Sequence, residues 1–233
     1  MSRARRASTL ALVAMLFVFT AACDDESPPE IDVTDVDAPV LLEGAAARIE
    51  ELETFHFDLE FSGGAAEILG GIRMRDAEGD FAGLDNFQAT IRASVGPINA
   101  DVEIRTVDGE GWITNPLTGR WQQEDISVAE VFDISTGVTA IMRSVESPSV
   151  TRAERLDGVD VYRVEARLLS DELTLIPGAR GGETLDAIAW IGVDDTLVRR
   201  IEVSGRLFSA NEVGTVTVHL SRFDEPVTIE APR

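Results

Sequence analysis

From residue 41 onward the apolar positions first recur at helical spacing and then switch to every second residue. In LLEGAAARIEELETF (41–55), Leu41, Leu42, Ala45, Ile49 and Leu52 predict one amphipathic helix. Phe55, Phe57, Leu59 and Phe61 then alternate with His56, Asp58, Glu60 and Ser62, the pattern of a half-buried strand with an aromatic inner face. The alternation returns in Ile68, Gly70, Ile72 and Met74, in Phe87, Ala89, Ile91 and Ala93, and in Ile98, Ala100, Val102 and Ile104 beyond the turn VGPIN. EGWITNPLTGRWQQE (110–124) reads as two short strands about a Pro/Gly turn, which brings Trp112 close to Trp121. Short turns between so many alternating segments predict an antiparallel meander.

The period changes once more in SVAEVFDISTGVTAIMRSVES (127–147). Val128, Val131 and Phe132 stand at helical spacing, as do Val138, Ile141, Met142 and Val145, with Ser135-Thr136-Gly137 between them, so two short helices are predicted. Strands resume over 160–169, 185–195, 196–208 and 214–224, with Asp194-Asp195 in the tight turn between the middle two. A wide sheet must close or cover its edges. The expected fold is therefore α+β: a single curved antiparallel sheet, or half-open β-barrel, with an N-terminal helix and short lid helices.

The apolar inner face is the feature that asks for a function. Phe55, Phe57, Phe61, Ile72, Ile91, Ile104 and Trp112 form its expected wall, and Val131, Phe132, Ile141 and Met142 lie under the expected lid. A ten-residue strand is about 33 Å long, and half of a bilayer's hydrocarbon core is about 15 Å thick. A curved sheet of this size can house acyl chains lengthwise. The same stripe also describes a solid core, and periodicity alone leaves both open.

Ahead of the helix, Arg3, Arg5 and Arg6 precede an apolar run from Leu10 to Phe19, then Thr20, Ala21, Ala22 and Cys23, the single cysteine of the chain. The run is shorter than the roughly 20 residues of a membrane span and has the make-up of a signal peptide, residues 1–22. Its end resembles the lipobox of bacterial lipoproteins, with Thr20 where that motif usually has Leu. The resemblance implies that Cys23 is diacylated on sulfur and becomes the first residue of the mature chain; an ordinary secretory signal with an incidental cysteine is the other reading. Residues 23–40 then read as the lipidated cysteine and an acidic, proline-containing flexible tether. Residues 41–233 form the folded domain.

Charge narrows the partners. The net charge is −22, and removing the leader takes away three arginines and no acid. Such a chain is a poor candidate for nucleic acid or for electrostatic docking on anionic lipid. The 20 basic residues are all arginine, which excludes a P-loop, Schiff-base or kinase-type lysine. No nucleophile elbow and no Ca²⁺-loop spacing occurs. His56 and His219 fall on the polar sides of alternating strands, as solvent-facing residues do. Paired carboxylates need only proximity, and with 42 acids proximity by chance is common. No catalytic residue, metal site or cofactor is expected.

The phrases ETFHFDLEFSG, GWITNPLTGRW, DGVDVYRVEA, AIAWIGVDDTLVRRIEVSG and VHLSRFDEPVTIEAP, in that order behind a lipobox and tether, resemble the LppX/LprAFG lipoproteins of actinobacterial cell envelopes. That family has half-open β-barrels with helical lids, related in shape to the LolA/LolB lipoprotein carriers. The resemblance implies a non-catalytic protein that carries lipid or glycolipid acyl chains in an apolar cavity. It would be held on the outer face of the cytoplasmic membrane by its lipidated cysteine and served by an envelope transporter. The competing reading is an envelope binding or scaffolding module with a filled core, acting through its acidic surface.

Overall fold

The computed structural model describes residues 31–64, 66–68, 72–83, 86–124, 134–173 and 179–233. Helix α1 (Ala38–Glu50) begins three residues before the predicted start, because Asp37 caps it. The Asp37 side chain accepts a hydrogen bond from Val40 N at 3.1 Å, satisfying one of the free amides of the first turn. Pro39 follows within that turn, where its missing N–H costs nothing. Ala38, Leu42, Ala45, Ala46 and Ile49 form the buried stripe of the helix.

Strands β1 (Thr54–Ser62), β2 (Ala66–Ile68), β3 (Ile72–Ala82), β4 (Phe87–Val95), β5 (Ile98–Val107), β6 (Glu110–Thr114) and β7 (Trp121–Glu124) come next. Helix α2 (Ile134–Ser144) follows, then β8 (Glu146–Leu156), β9 (Val159–Leu169), β10 (Thr184–Gly192), β11 (Val198–Gly205) and β12 (Gly214–Ser221). All pair antiparallel in one open sheet ordered β7-β6-β5-β4-β3-β1-β12-β11-β10-β9-β8, with β2 added to β3. The first and last strands therefore meet in the middle, and each half of the sheet is a meander running outward from that seam. The Asp108-Gly109 and Asp157-Gly158 pairs, all four at positive φ, make the two-residue turns of β5–β6 and β8–β9. These are the turns whose twist matches a right-handed hairpin.

Three elements differ from expectation. The stretch from Ile68 to Met74 is two strands rather than one, β2 and β3, and Ile68 faces Ile72 across them. Strand β3 runs on through Ala77, Gly79 and Phe81, after a register shift between Met74 and Asp76. Strand β8 was not foreseen. Its sequence, ESPSVTRAERL, is mostly polar because it is an edge, and two register shifts break its pairing with β9. Irregular, charged edges are how sheets avoid pairing with other chains. Of the two helices expected over 127–147, α2 matches the second; Val128, Val131 and Phe132 lie outside the described residues.

The core lies between the inner face of the sheet and the buried stripe of α1. A second, smaller apolar group sits on the outer face of the β8–β11 wing, where Val161, Trp190 and Leu197 are buried. Trp190 is flanked there by the guanidinium groups of Arg163 at 5.7 Å and Arg200 at 4.6 Å, and its indole N–H donates to Glu154.

Candidate functional site

The inner wall is built by register. Phe55 on β1 lies opposite Phe81 on β3, which lies opposite Phe87 on β4. Phe57 lies opposite Gly79, then Ala89, Ile104 and Ile113 continue that row across β4, β5 and β6. Leu59, Ala77, Ile91 and Val102 make the next row. Across the seam, Leu220, Val218 and Val216 of β12 continue these rows from Phe57, Leu59 and Phe61.

The wall is bulky at one end and slight toward the other. At the β1 start, Phe55 and Phe81 stack with centroids 4.8 Å apart, and Phe87 lies 4.8 Å from Phe81 and 5.8 Å from Phe57. Farther along, Ala77, Ala89, Ala93 and Ala100 replace large side chains, and Ala187 and Ala189 do so on the other wing. All of these but Ala100 are buried within the core cluster. The Thr106 hydroxyl, 1 % exposed in the aromatic end, has no hydrogen-bond partner among the described residues.

Of the expected wall residues, Phe55, Phe57, Ile91 and Ile104 are buried on this face, and Phe61 is half-buried there against Phe208. Ile72 opens β3 opposite Ile68 and Val95; its side chain lies outside the described set. Trp112 is a correction. The two-residue turn at Asp108-Gly109 pairs Val107 with Glu110, so Arg105 faces Trp112 and Ile104 faces Ile113. Trp112 therefore points outward, and Ile113 takes the inward place. Trp121 shares the outer face with Trp112 as its diagonal neighbour and stacks on Arg105 at 5.0 Å. Sequence reasoning also missed Phe81, hidden among the acids of DAEGDFAG.

Helix α2 supplies the lid. Met142 is buried in the core and Ile141 half-buried against it, while Val131 and Phe132 lie outside the described residues. The lid is tied to α1 through Arg143, whose Nη1 donates to Glu50 at 2.6 Å and whose Nε donates to Glu43 at 3.2 Å. Those carboxylates hold the guanidinium well above its ordinary pKa, and Arg143 in turn holds the Glu50 carboxyl below the usual carboxylate range.

The outer face is polar and gathers both histidines. His219 on β12 lies opposite Asp58 on β1, and His56 Nε2 lies 3.6 Å from the same Asp58 carboxylate. His56 Nδ1 is 2.8 Å from Asp80, which also receives hydrogen bonds from Gln88 Nε2 at 2.8 Å and Arg222 Nη2 at 2.9 Å. Burial pushes the Asp80 carboxyl up, but the bonds from Gln88 and His56, with the charges of His56 and Arg222, together hold it below its ordinary value. With its carboxylate already engaged by an amide and a guanidinium, Asp80 is a structural clamp rather than a free base. A groove of about 510 Å³ lies on the other side of Arg222, lined by Asp58, Glu60, Arg199, His219 and Arg222 among others. Among the described residues no three His, Cys, Asp or Glu side chains converge as metal ligands, and no helix is long and apolar enough to cross a membrane.

An open antiparallel sheet with its first and last strands paired at the centre, an apolar inner face and a helix across it can be compared with known proteins. The profile of the LppX_LprAFG lipoproteins matches residues 37–229. The chain belongs to the LppX/LprAFG lipoprotein family. Its fold is similar to that of lipoprotein LppX from Mycobacterium tuberculosis, with a TM-score of 0.61 at 18 % identity, covering 83 % of this chain and 98 % of LppX. It is also similar to LprF from Mycobacterium bovis, with a TM-score of 0.63 at 17 % identity, covering 84 % of this chain and 96 % of LprF. No curated protein matches the sequence. The family match begins at Asp37, the cap of α1, so the LppX-like fold takes in the last residues of the segment expected to be tether and lies downstream of Cys23.

Proposed function

We propose that this LppX/LprAFG protein is a lipid-anchored envelope lipoprotein that binds the acyl chains of a lipid or glycolipid against the inner face of its sheet and carries them without catalysis. One observation carries the reading: a continuous apolar wall, aromatic at one end and alanine-lined toward the other, lies under helices that belong to a separate layer and are tied together by surface ion pairs. Moving a two-chain lipid through water exposes about 30 CH₂ groups at about 0.8 kcal/mol each, on the order of 25 kcal/mol, so an enclosing wall removes most of that barrier. Phe55, Phe57, Phe61, Ile72, Ile91 and Ile104 are the proposed wall, with Ile113 in place of Trp112, and Ile141 and Met142 are its cover on the lid side. Methionine suits a cargo of variable shape because its side chain is flexible and polarisable.

A second reading has its own observation. Phe57 and Ile91 are fully buried and Ile104 is 1 % exposed, which is what a filled core requires, while the 510 Å³ groove opens on the polar outer face. Lipid extraction with native mass spectrometry of the purified protein separates the two, read together with Ile104→Trp. For a carrier, lipid co-purifies in stoichiometric amount, and the tryptophan displaces it with a near-normal melting temperature. For a filled core, no lipid is found, and the same change costs typically 1–3 kcal/mol of stability through overpacking. Asp101→Trp, exposed on the opposite face of the same strand, serves as the control that changes neither quantity. Stoichiometric absence of lipid with a destabilised Ile104→Trp overturns the carrier.

A further inference from the structure

The turns at the two ends of the sheet differ in chemistry. Register places the β4–β5 turn, the end of β9 and the segment leading into β12 at one end: Ile98 pairs with Val95 and Val95 with Ile72, Ser62 with Thr215, Gly205 with Gly214, and Leu169 with Thr184. At this end Ile98 is 50 % exposed, Leu169 41 % and Val213 69 %. The described turns of the opposite end are Asp108-Gly109, Asp157-Gly158, Asp194-Asp195-Thr196 and Arg222 to Asp224, and none of the large exposed apolar residues lies in them. A single exposed apolar side chain is ordinary. Three at separate strand ends and loops along one rim, with none in the described turns of the other, form a pattern. Counting strands at about 4.8 Å each, Ile98 lies roughly 19 Å from the β12 position along the sheet, and β12 roughly 14 Å from Leu169.

We propose that this rim docks on the surface of a zwitterionic phospholipid bilayer, with Ile98, Leu169 and Val213 entering the boundary between headgroups and acyl chains. The proposal rests on the lipid-carrier reading: acyl chains then pass between bilayer and inner wall without crossing water. The contact is hydrophobic rather than electrostatic. Near the rim the carboxylates Asp171, Glu172, Glu183 and Glu212 outnumber Arg180 and Arg206, and the chain as a whole carries a charge of −22, so anionic headgroups repel it. The segment from residue 24 to residue 36 spans at most roughly 45 Å when extended. A domain of this size has a radius of gyration of about 16 Å, so a tethered rim can turn to the bilayer wherever the tether joins. Tethering also supplies a high effective concentration, so three side chains suffice for a contact that must open and close.

The test uses the full lipidated chain in phosphatidylcholine vesicles, with Cys23 acylated and single thiols introduced by Ile98→Cys, Val213→Cys or Asp194→Cys and labelled with an environment-sensitive fluorophore. Doxyl-labelled phosphatidylcholine is expected to quench positions 98 and 213 several-fold more than position 194, and replacing part of the lipid by phosphatidylglycerol is expected to weaken that quenching. Equal quenching at all three positions, or none at 98 and 213, overturns the proposal. Rim protection found only in membranes that contain other proteins also overturns it, since the occupant is then a protein. Lipid extracted from the same preparations reports separately on carriage. Co-purifying lipid without rim quenching sinks the docking and leaves the carrier, whereas rim quenching without co-purifying lipid leaves a bilayer contact and sinks the carrier.

Discussion

Gly79 decides how the aromatic end of the wall is packed. A Cβ built there would stand 2.8 Å from the Phe57 ring, 2.9 Å from Ala89 Cα and 2.1 Å from the Gln88 carbonyl oxygen. The ring lies across the strand where a side chain would be, and two of the three neighbours are backbone and cannot yield. Glycine inside a strand is tolerated where another group approaches this closely. Gly79→Ala is expected to lower stability by about 1–3 kcal/mol, read as a lower urea midpoint with an unchanged slope; a variant as stable as the parent would mean that the β3 and β4 backbones can part enough to admit the methyl group. The same residue explains why Phe81 escaped sequence reasoning. In DAEGDFAG the inward positions are Ala, Gly and Phe, and a search for large apolar residues at every second place finds one of three. Trp112 differs from expectation for another reason: EGWIT carries apolar residues on both parities, and only the Asp108-Gly109 turn fixes which side of the strand residue 112 occupies.

The two helices are joined by charge as well as by apolar contact, and that gives the lid a pH dependence. The Glu50 carboxyl is held below its ordinary value chiefly by its hydrogen bond from Arg143. A carboxylate with a lowered folded-state pKa contributes stability that is present above its unfolded value and lost as pH falls through the folded one. Arg143→Ala is expected to raise amide exchange across residues 139–144 at neutral pH while leaving the global unfolding midpoint nearly unchanged, because exposed ion pairs contribute little to overall stability. The parent should approach the exchange rates of the variant once pH drops below the carboxylate range or salt is high. Identical exchange in parent and variant at neutral pH would remove the tie. Elements were readable in proportion to their alternation. Strands β4 and β5, with Ile and Val inward and Arg, Asp and Glu outward, stand almost where the pattern put them. Strand β8 gave no signal, because an edge on a polar hairpin has no apolar face to advertise, and the only local mark of it was Asp157-Gly158.

At the scale of the molecule, Cys23→Ala is expected to leave the LppX-like domain folded and to release it from the membrane fraction, since nothing among the described helices can span a bilayer. Circular dichroism and fractionation in high salt check the two halves of that statement. A variant that still pellets with membranes would require a second anchor stronger than the reversible rim contact. The outline of the fold was legible because one curved sheet needs only repeated alternation and short turns. Its seam was not, since pairing of β1 with β12 joins residues some 160 positions apart, such as Phe57 and Leu220. That seam leaves β7 and β8 as two free margins. In a closed barrel, strand number and shear together dictate a diameter, and capacity comes in fixed sizes. A sheet whose margins never meet is under no such rule. It can coil more tightly or more loosely with every ladder hydrogen bond intact, so in the carrier proposed above the bore is a continuous quantity, and one strand count serves contents of very different girth.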